Sequence, residues 1–454
     1  MKKAFARVNA WLEHADDGLR ALLLRASVPA WLIGLLTLAA FFLLMMTRTL
    51  TQLAGADRAV RMISVLMLCL PLAAMLCFAL RIARRSGDGL MLMLGGSALC
   101  VFAMLARVSF IERSSGDYDI YLADWIAKLA AGSFSEGMRA NVGEYNVLYQ
   151  YILFIITRLP VPPLYAVKAV SFIGDAFLAG AAARLAARDG KDSMTAFGVV
   201  LLLPTVVLNA GMFAQCDSLY AACALWGLAL ALGHKPMRAA ACFALSLAFK
   251  LQSAFILPIV IVLWAHRKLR LREAFVFAGT LVAVALPALL GGKGLMDILS
   301  IYTGQMGLYN GLTYNAASFF GLMETTGLDV YAYGNFGMAL AFGACALLVT
   351  AGVRLGEQRA EYDRLALLMV LLIVFFLPRM HERYFYMASA LSAALAVRCG
   401  GRAVIAAAAI ELAMLATYWS LAFSLPMASL MMLFSAILLI SDAKLICPDG
   451  GNVL

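Results

Sequence analysis

The stretch VRMISVLMLCLPLAAMLCFAL, residues 60–80, decides the fold class. It holds one charge, Arg61, and runs directly into RIARR at 81–85. At 1.5 Å per residue a helix over this run crosses the roughly 30 Å hydrocarbon core of a bilayer. The rest of the chain repeats the pattern. Of 454 residues, 64% are hydrophobic and 14% charged, with mean hydropathy +0.89. A soluble domain carries about 25% charge, so the surrounding solvent is lipid. A helix satisfies its own backbone hydrogen bonds in hydrocarbon, and barrel alternation is absent. The expected fold is an all-α polytopic bundle of about 12–14 transmembrane helices, with a re-entrant or interfacial helical outer loop.

Apolar runs place candidate spans at 30–47, 60–80, 89–107, 164–184, 194–213, 217–233, 238–250, 254–265, 273–290, 336–353, 364–378, 383–397, 403–421 and 424–441. The pair 238–250 and 254–265 is short. It reads as a hairpin whose tip, FKLQS, stays within the membrane thickness, which requires a cavity beside it. The segment YNVLYQYILFIITRL at 145–159 is also short and reads as re-entrant. Residues 1–29 lack a compact apolar core followed by a small-residue cleavage site. They read as an amphipathic cytoplasmic segment, 30–441 as the transmembrane domain, and 442–454 as a cytoplasmic tail. Short cytoplasmic loops then hold most of the 36 Lys and Arg, as the positive-inside rule requires. The net charge of +10 sets topology and does not point to nucleic acid. Nine cysteines form no CxxC pair and read as small core residues. Two long segments, 108–163 and 291–335, face outward on this map.

The first of them begins with RSSGDYDIYLADWIAKL, residues 113–129, which concentrates Asp117, Asp119 and Asp124 beside Tyr118, Tyr121 and Trp125. Three further polar clusters fall on the same side: Asn209, Gln215 and Asp217; Lys250 and Gln252; and Arg379, His381, Glu382 and Arg383. Charge at membrane depth is costly and marks function by default. Each cluster also has a plain reading: Asp217 as a helix cap, Lys250 as a snorkelling side chain, the arginines as headgroup anchors. Together they supply a definite chemistry. Lys250, Arg379, His381 and Arg383 are suited to bind a phosphate, and arginine does so through its planar fork. A carboxylate opposite acts as general base on a hydroxyl. Tyr118, Tyr121 and Trp125 offer flat faces to a sugar ring. That combination fits a sugar on a polyprenyl phosphate attacked by an acceptor hydroxyl, with inversion at the anomeric carbon.

Four stretches resemble the polytopic glycosyltransferases of the GT-C superfamily, most closely the bacterial family related to the GPI-anchor second mannosyltransferase. They are SGDYDIYLADW (115–125), GEYNVLYQYIL (143–153) followed by AVKAVSFIGDAFLA, AQCDSLYAACALW (214–226) and FLPRMHERYFY (376–386). The last is the most specific. The resemblance departs at Val147-Leu148, where the family carries Pro-Pro, and at Ala214, where it carries Gly. It implies an inverting, lipid-phosphate-sugar-dependent hexosyltransferase of the bacterial inner membrane, with both termini cytoplasmic and the active site extracytoplasmic. It implies Asp117 as the catalytic base, with Asp119 as the fallback, and His381 near the donor phosphate. The expected substrate contacts are Tyr118, Tyr121, Trp125, Tyr145, Asn146, Gln215, Asp217, Gln252 and Glu382. No cofactor is expected; a divalent metal serves some GT-C branches, but no separate acidic ligand cluster appears. The partners implied are the donor lipid, a glycolipid, glycan or protein acceptor, and the bilayer.

Two other classes stay open on the sequence: a transporter or flippase of lipid-linked sugars, and an assembly subunit held together by its polar groups. Lys168 and Asp175 share a helix face and serve either each other's burial or the donor site. Glu411 stands alone in a late apolar span, with a hydrogen bond to Tyr418 or to another helix as its plain role.

Overall fold

The computed structural model describes residues 29–48, 57–86, 89–140, 142–187, 190–307, 310–323, 325, 327–355, 359–419 and 424–442. The segments read as an amphipathic N-terminus and a cytoplasmic tail lie almost wholly outside the described residues. The protein is all-α. Its helices are α1 (Ala30–Arg48), α2 (Arg58–Arg85), α3 (Gly89–Val108), α4 (Ala123–Ala130), α5 (Phe134–Arg139), α6 (Val147–Ile156), α7 (Pro163–Ala186), α8 (Gly190–Leu202), α9 (Pro204–Gly211) and α10 (Asp217–Leu232). The second half adds α11 (Pro236–Phe249), α12 (Ile259–Ala265), α13 (Arg272–Leu290), α14 (Leu295–Gly307), α15 (Val330–Arg354), α16 (Arg359–Phe376), α17 (Tyr386–Cys399), α18 (Gly401–Trp419) and α19 (Leu425–Asp442). Two two-residue strands, β1 (Thr313–Tyr314) and β2 (Met380–His381), pair in parallel.

Seven described helices are long and apolar enough to cross a membrane: α2, α3, α7, α13, α15, α18 and α19. The bent pair α8–α9 makes an eighth. Apolar stretches of α1, α6, α10 and α11 are shorter. The expectation of 12–14 spans therefore counts helices below the usual length of about 20 residues. Burial separates the long ones. α7 is 83% buried and α13 only 11%. α7 packs against α2, α8, α9, α10 and α17, and its alanines and glycines let those backbones come close. α13 and α15 instead expose Phe275, Leu290, Phe342 and Leu347. Apolar surface on this scale is tolerable only against lipid or a partner. The protein is an integral membrane protein.

Two local expectations change. The span 194–213 is broken at Leu203, with a 48° bend between its halves. Pro204 lacks an N–H and clashes with the preceding turn, which ends α8 and restarts the chain as α9. The hairpin expected at 238–265 does not form. α11 packs on α10 and α13, while α12 packs on α15 and α16. Lys250 between them is extended and leads into a 3-10 turn at Leu251–Phe255. α6, with 10 residues, is about 15 Å long and too short to cross.

Most of these helices bring one end to a common place. Loops 109–117, 212–216, 250–255, 310–323 and 377–385 gather there, as do the starts of α10, α15 and α17 and the end of α18. The far ends carry Arg81, Arg84, Arg85, Arg184, Lys235, Arg354, Arg398 and Arg402. Arg398 pairs there with buried Asp363.

Candidate active site

The loop after α3 is held from below. The Lys168 ammonium on α7 donates to the carbonyls of Phe110 (2.6 Å), Ile111 (3.0 Å) and Arg113. Asp175 on the same face does not meet it: its carboxylate pairs with Arg107 at 2.8 Å, both side chains fully buried. Each group thus has its own partner, and neither reaches the cavities below. Further on, Ser115 Oγ donates to the Phe213 carbonyl at 2.8 Å. A π-helical turn then spans Tyr118–Leu122. Such wide turns re-aim side chains and recur at functional sites.

Asp117 stands just before that turn. Its Oδ2 accepts from Gln215 Nε2 at 3.0 Å and forms an ion pair with Arg383 Nη1 at 2.9 Å. Gln215 is itself fixed, because the Tyr145 hydroxyl donates to its Oε1 at 3.2 Å. The residue before it, Ala214, has φ +53°. A left-handed backbone favours glycine there, which explains why the resembling family carries one. Asp119 is exposed and accepts from Ser114 Oγ at 2.9 Å. Of the two candidate bases, Asp117 lines both of the cavities described below and Asp119 lines neither.

A second carboxylate, Asp217, lies at the start of α10. It pairs with the Lys250 ammonium and accepts from Asn209 Nδ2 at 2.9 Å. Lys250 sits over the rings of Tyr145 (5.3 Å) and Tyr220 (5.9 Å). The third cluster is built by the strand pair. Thr313 pairs with Met380 and Tyr314 with His381, and the Tyr314 ring stacks on His381 at 5.0 Å. Arg379 and Asn315 both have positive φ, +64° and +57°, strain that the pairing holds in place. Burial, and then the neighbouring Arg383, push the His381 imidazole down to about 4. It is therefore neutral near pH 7 and faces a ligand as a hydrogen-bonding group. Burial raises the Glu382 carboxyl against the pull of Arg383.

Two cavities meet in this region. The smaller, about 340 Å³, is polar; Asn209, Asn315, His381, Glu382, Thr417 and Tyr418 are among its lining. The Asn209 Oδ1 is buried with no protein partner. The larger, about 880 Å³, has a polar end with Lys250, Gln252 and Arg379, an aromatic wall of Tyr118, Tyr121, Trp125 and Tyr145, and a long apolar side. Trp125 packs on Gly143, where a Cβ would lie 2.5 Å from the ring, and meets Tyr145 edge-on at 5.4 Å. The apolar side combines one face of α15, with Gly334, Met338, Ala341 and Phe342, and residues from two other segments, Leu251, Phe255, Pro258, Ile373 and Leu377. Asp117, Gln215 and Arg383 line both cavities.

Residues 145–266 match the family model of MptA_B, described as "Alpha-(1->6)-mannopyranosyltransferase, N-terminal domain". The protein is a membrane glycosyltransferase. The match supports a GT-C-like mannosyltransferase family and takes in Tyr145, Asn146, Gln215, Asp217, Lys250 and Gln252. No curated protein matches the chain.

Within this glycosyltransferase most of the expected site residues converge. His381 and Glu382 line the small cavity, Tyr118, Tyr121, Trp125, Tyr145, Lys250, Gln252 and Arg379 the large one. Asp217 and Asn146 line neither. Asp217 holds Lys250, and Asn146 Nδ2 donates to the Leu247 carbonyl at 2.8 Å, tying the start of α6 to α11. His381 thus lines a different cavity from Lys250 and Arg379, while Arg383 lines both. Asn315 and Thr417 escaped the sequence reading. They lie in a loop and a helix distant along the chain, and nothing local marks them. Among the described residues no three His, Cys, Asp or Glu side chains gather as metal ligands; an arginine and an amide meet Asp117 instead.

Proposed function

We propose that the protein transfers a hexose, taken as mannose from the matched family's description, from a polyprenyl phosphate to an acceptor hydroxyl, inverting the anomeric carbon, at the extracytoplasmic face of a bacterial inner membrane. The observation that carries this reading is the meeting of two unlike cavities at Asp117, Gln215 and Arg383. The donor asks for a cationic head site continuous with an apolar channel, and the large cavity has both. The acceptor asks for hydroxyl-binding amides and carboxylates, and the small cavity has those. A sugar-bearing acceptor, glycan or glycolipid, suits that lining.

Asp117 takes the proton from the acceptor hydroxyl. The hydroxyl oxygen bonds to the anomeric carbon while the bond from that carbon to the phosphate oxygen breaks. The phosphate leaves with the electron pair, and Arg379 and Arg383 meet its charge. Gln215, fixed by Tyr145, orients Asp117. Tyr118, Tyr121 and Trp125 pack against the transferred sugar. The side of the membrane rests on the basic residues at the helix ends remote from the site, which the positive-inside rule assigns to the cytoplasm.

The test is purified protein in nanodiscs with a panel of polyprenyl-phosphate sugars and a sugar acceptor. Donor consumption is followed by mass spectrometry. The expected result is transfer from one donor, with Asp117→Asn reducing turnover by about 10²–10⁴, the usual contribution of a general base. Full activity in that variant removes Asp117 from the mechanism. Movement of lipid-linked sugar between leaflets with no joining to an acceptor favours a transporter.

A further inference from the structure

Among the helical hydrogen bonds lost at the bend between α8 and α9, one can be followed at both ends. In a continuous helix the Thr205 N–H would donate to the Leu201 carbonyl, four residues back. Pro204 and the extended Leu203 prevent this. Both orphaned groups lie in the buried interior, where an unpaired backbone group is costly because no water can reach it. Each has a side-chain partner from another helix. Glu411 Oε1 on α18 accepts from the Thr205 N–H at 2.9 Å. Arg107 Nη1 on α3 donates to the Leu201 carbonyl at 3.0 Å. The two side chains together replace the lost bond.

Both are anchored by α17. The Ser389 hydroxyl donates to Glu411 Oε2 at 2.6 Å, and the Thr205 hydroxyl donates to the same atom at 2.9 Å. The Tyr386 hydroxyl donates to Asp175, the partner of Arg107, at 3.4 Å. The break aims the site. One turn past Thr205, Asn209 donates to Asp217, and its carbonyl accepts from the Gln215 N–H at 2.9 Å. Gln215 then donates to Asp117.

We infer that Glu411 and Arg107 are positioning residues: they hold α9 off the axis of α8, so that Asn209 and Gln215 reach the two carboxylates of the site. This gives Glu411, which touches neither cavity, a role in the reaction. The kinetic arm of its test rests on the proposed transfer; the exchange arm does not.

The experiment compares Glu411→Ala, Glu411→Gln and Pro204→Ala in full-length protein. Glutamine still offers an oxygen to the Thr205 N–H, so Glu411→Gln keeps kcat within about threefold. Glu411→Ala lowers kcat at least tenfold with donor KM little changed, and amide exchange across 203–211 quickens at least tenfold. Pro204→Ala lets Thr205 bond Leu201 again. It keeps or raises Tm, slows exchange at 203–211, and still loses at least tenfold in kcat, a pattern that a purely structural role does not produce. If Glu411→Ala fails to fold, the double variant Pro204→Ala with Glu411→Ala folds, because a straight helix does not need the carboxylate, and it is as slow as Pro204→Ala. Unchanged exchange in Glu411→Ala, or wild-type kcat in Pro204→Ala, overturns the inference. If wild-type protein transfers no sugar, the transfer reading fails, and exchange alone decides the clamp.

Discussion

The two cavities are built in opposite ways. The polar chamber draws its lining from five separate segments: 115–117, 209–215, residue 315, 381–383 and 417–418. The apolar side of the large groove takes its longest continuous stretch from one helix, α15, through residues that recur every three or four positions, with 251–258 and 373–380 beside it. The contrast follows from what each must do. Hydroxyls are recognised by directed donors and acceptors, which one helix face cannot surround. A lipid tail needs only a continuous apolar surface, and the side of an apolar helix supplies a long part of it. The groove also gains little from hydrophobicity, since the tail leaves one apolar medium for another. Its contribution is shape and alignment; head-group charge supplies the affinity.

That division can be broken by crossing polarity into each cavity. Met338→Asp places a charge halfway along the groove, at a cost of about 2–4 kcal/mol at membrane depth. It should raise the KM for a long-chain polyprenyl donor at least tenfold and leave a short-chain donor nearly unaffected. Asn209→Ala removes the unpartnered oxygen from the chamber, and with it the bond to Asp217, and should raise acceptor KM about tenfold or more with a smaller rise in donor KM, since one hydrogen bond to a buried group is worth roughly 1–3 kcal/mol. Initial rates over both substrates separate the cases. If either variant acts mainly on the other substrate, the cavities are wrongly divided.

A smaller effect concerns pH. His381 is held neutral, with its folded value near 4 against an ordinary 6.5. Between those values the unfolded chain binds a proton that the folded protein refuses, so this group's contribution is complete above pH 6.5 and is lost as pH falls toward 4. Thermal unfolding across that window should show a decline that His381→Asn reduces; an equal decline in both proteins removes the assignment.

The smallest expected effect lies at Ala214, with its φ of +53°. Ala214→Gly relieves strain of about 1–2 kcal/mol and costs about 0.5–1 kcal/mol in unfolded-state entropy. Tm should hold or rise by a degree or two. Ala210→Gly, within α9, should lower it.

The sequence alone determined the solvent and pointed to where polar groups collect. Runs such as 60–80 can be stable only as helices in lipid, because nothing else there satisfies the backbone. Charges such as Asp117, Lys250 and Arg383 survive among such runs only where partners or a cavity await them. Periodicity and composition are local properties, and they also exposed the shortness of 145–159. What tertiary structure decided is which distant groups meet. The wall between the cavities joins Asp117, Gln215 and Arg383 from three parts of the chain. Asn315 enters the chamber through a strand pair only two residues long. Glu411, isolated in sequence, finds a backbone N–H that exists as a free donor only because Pro204 bent another helix. Such pairings depend on angles between helices, set by packing over the whole bundle, and no window of residues contains them.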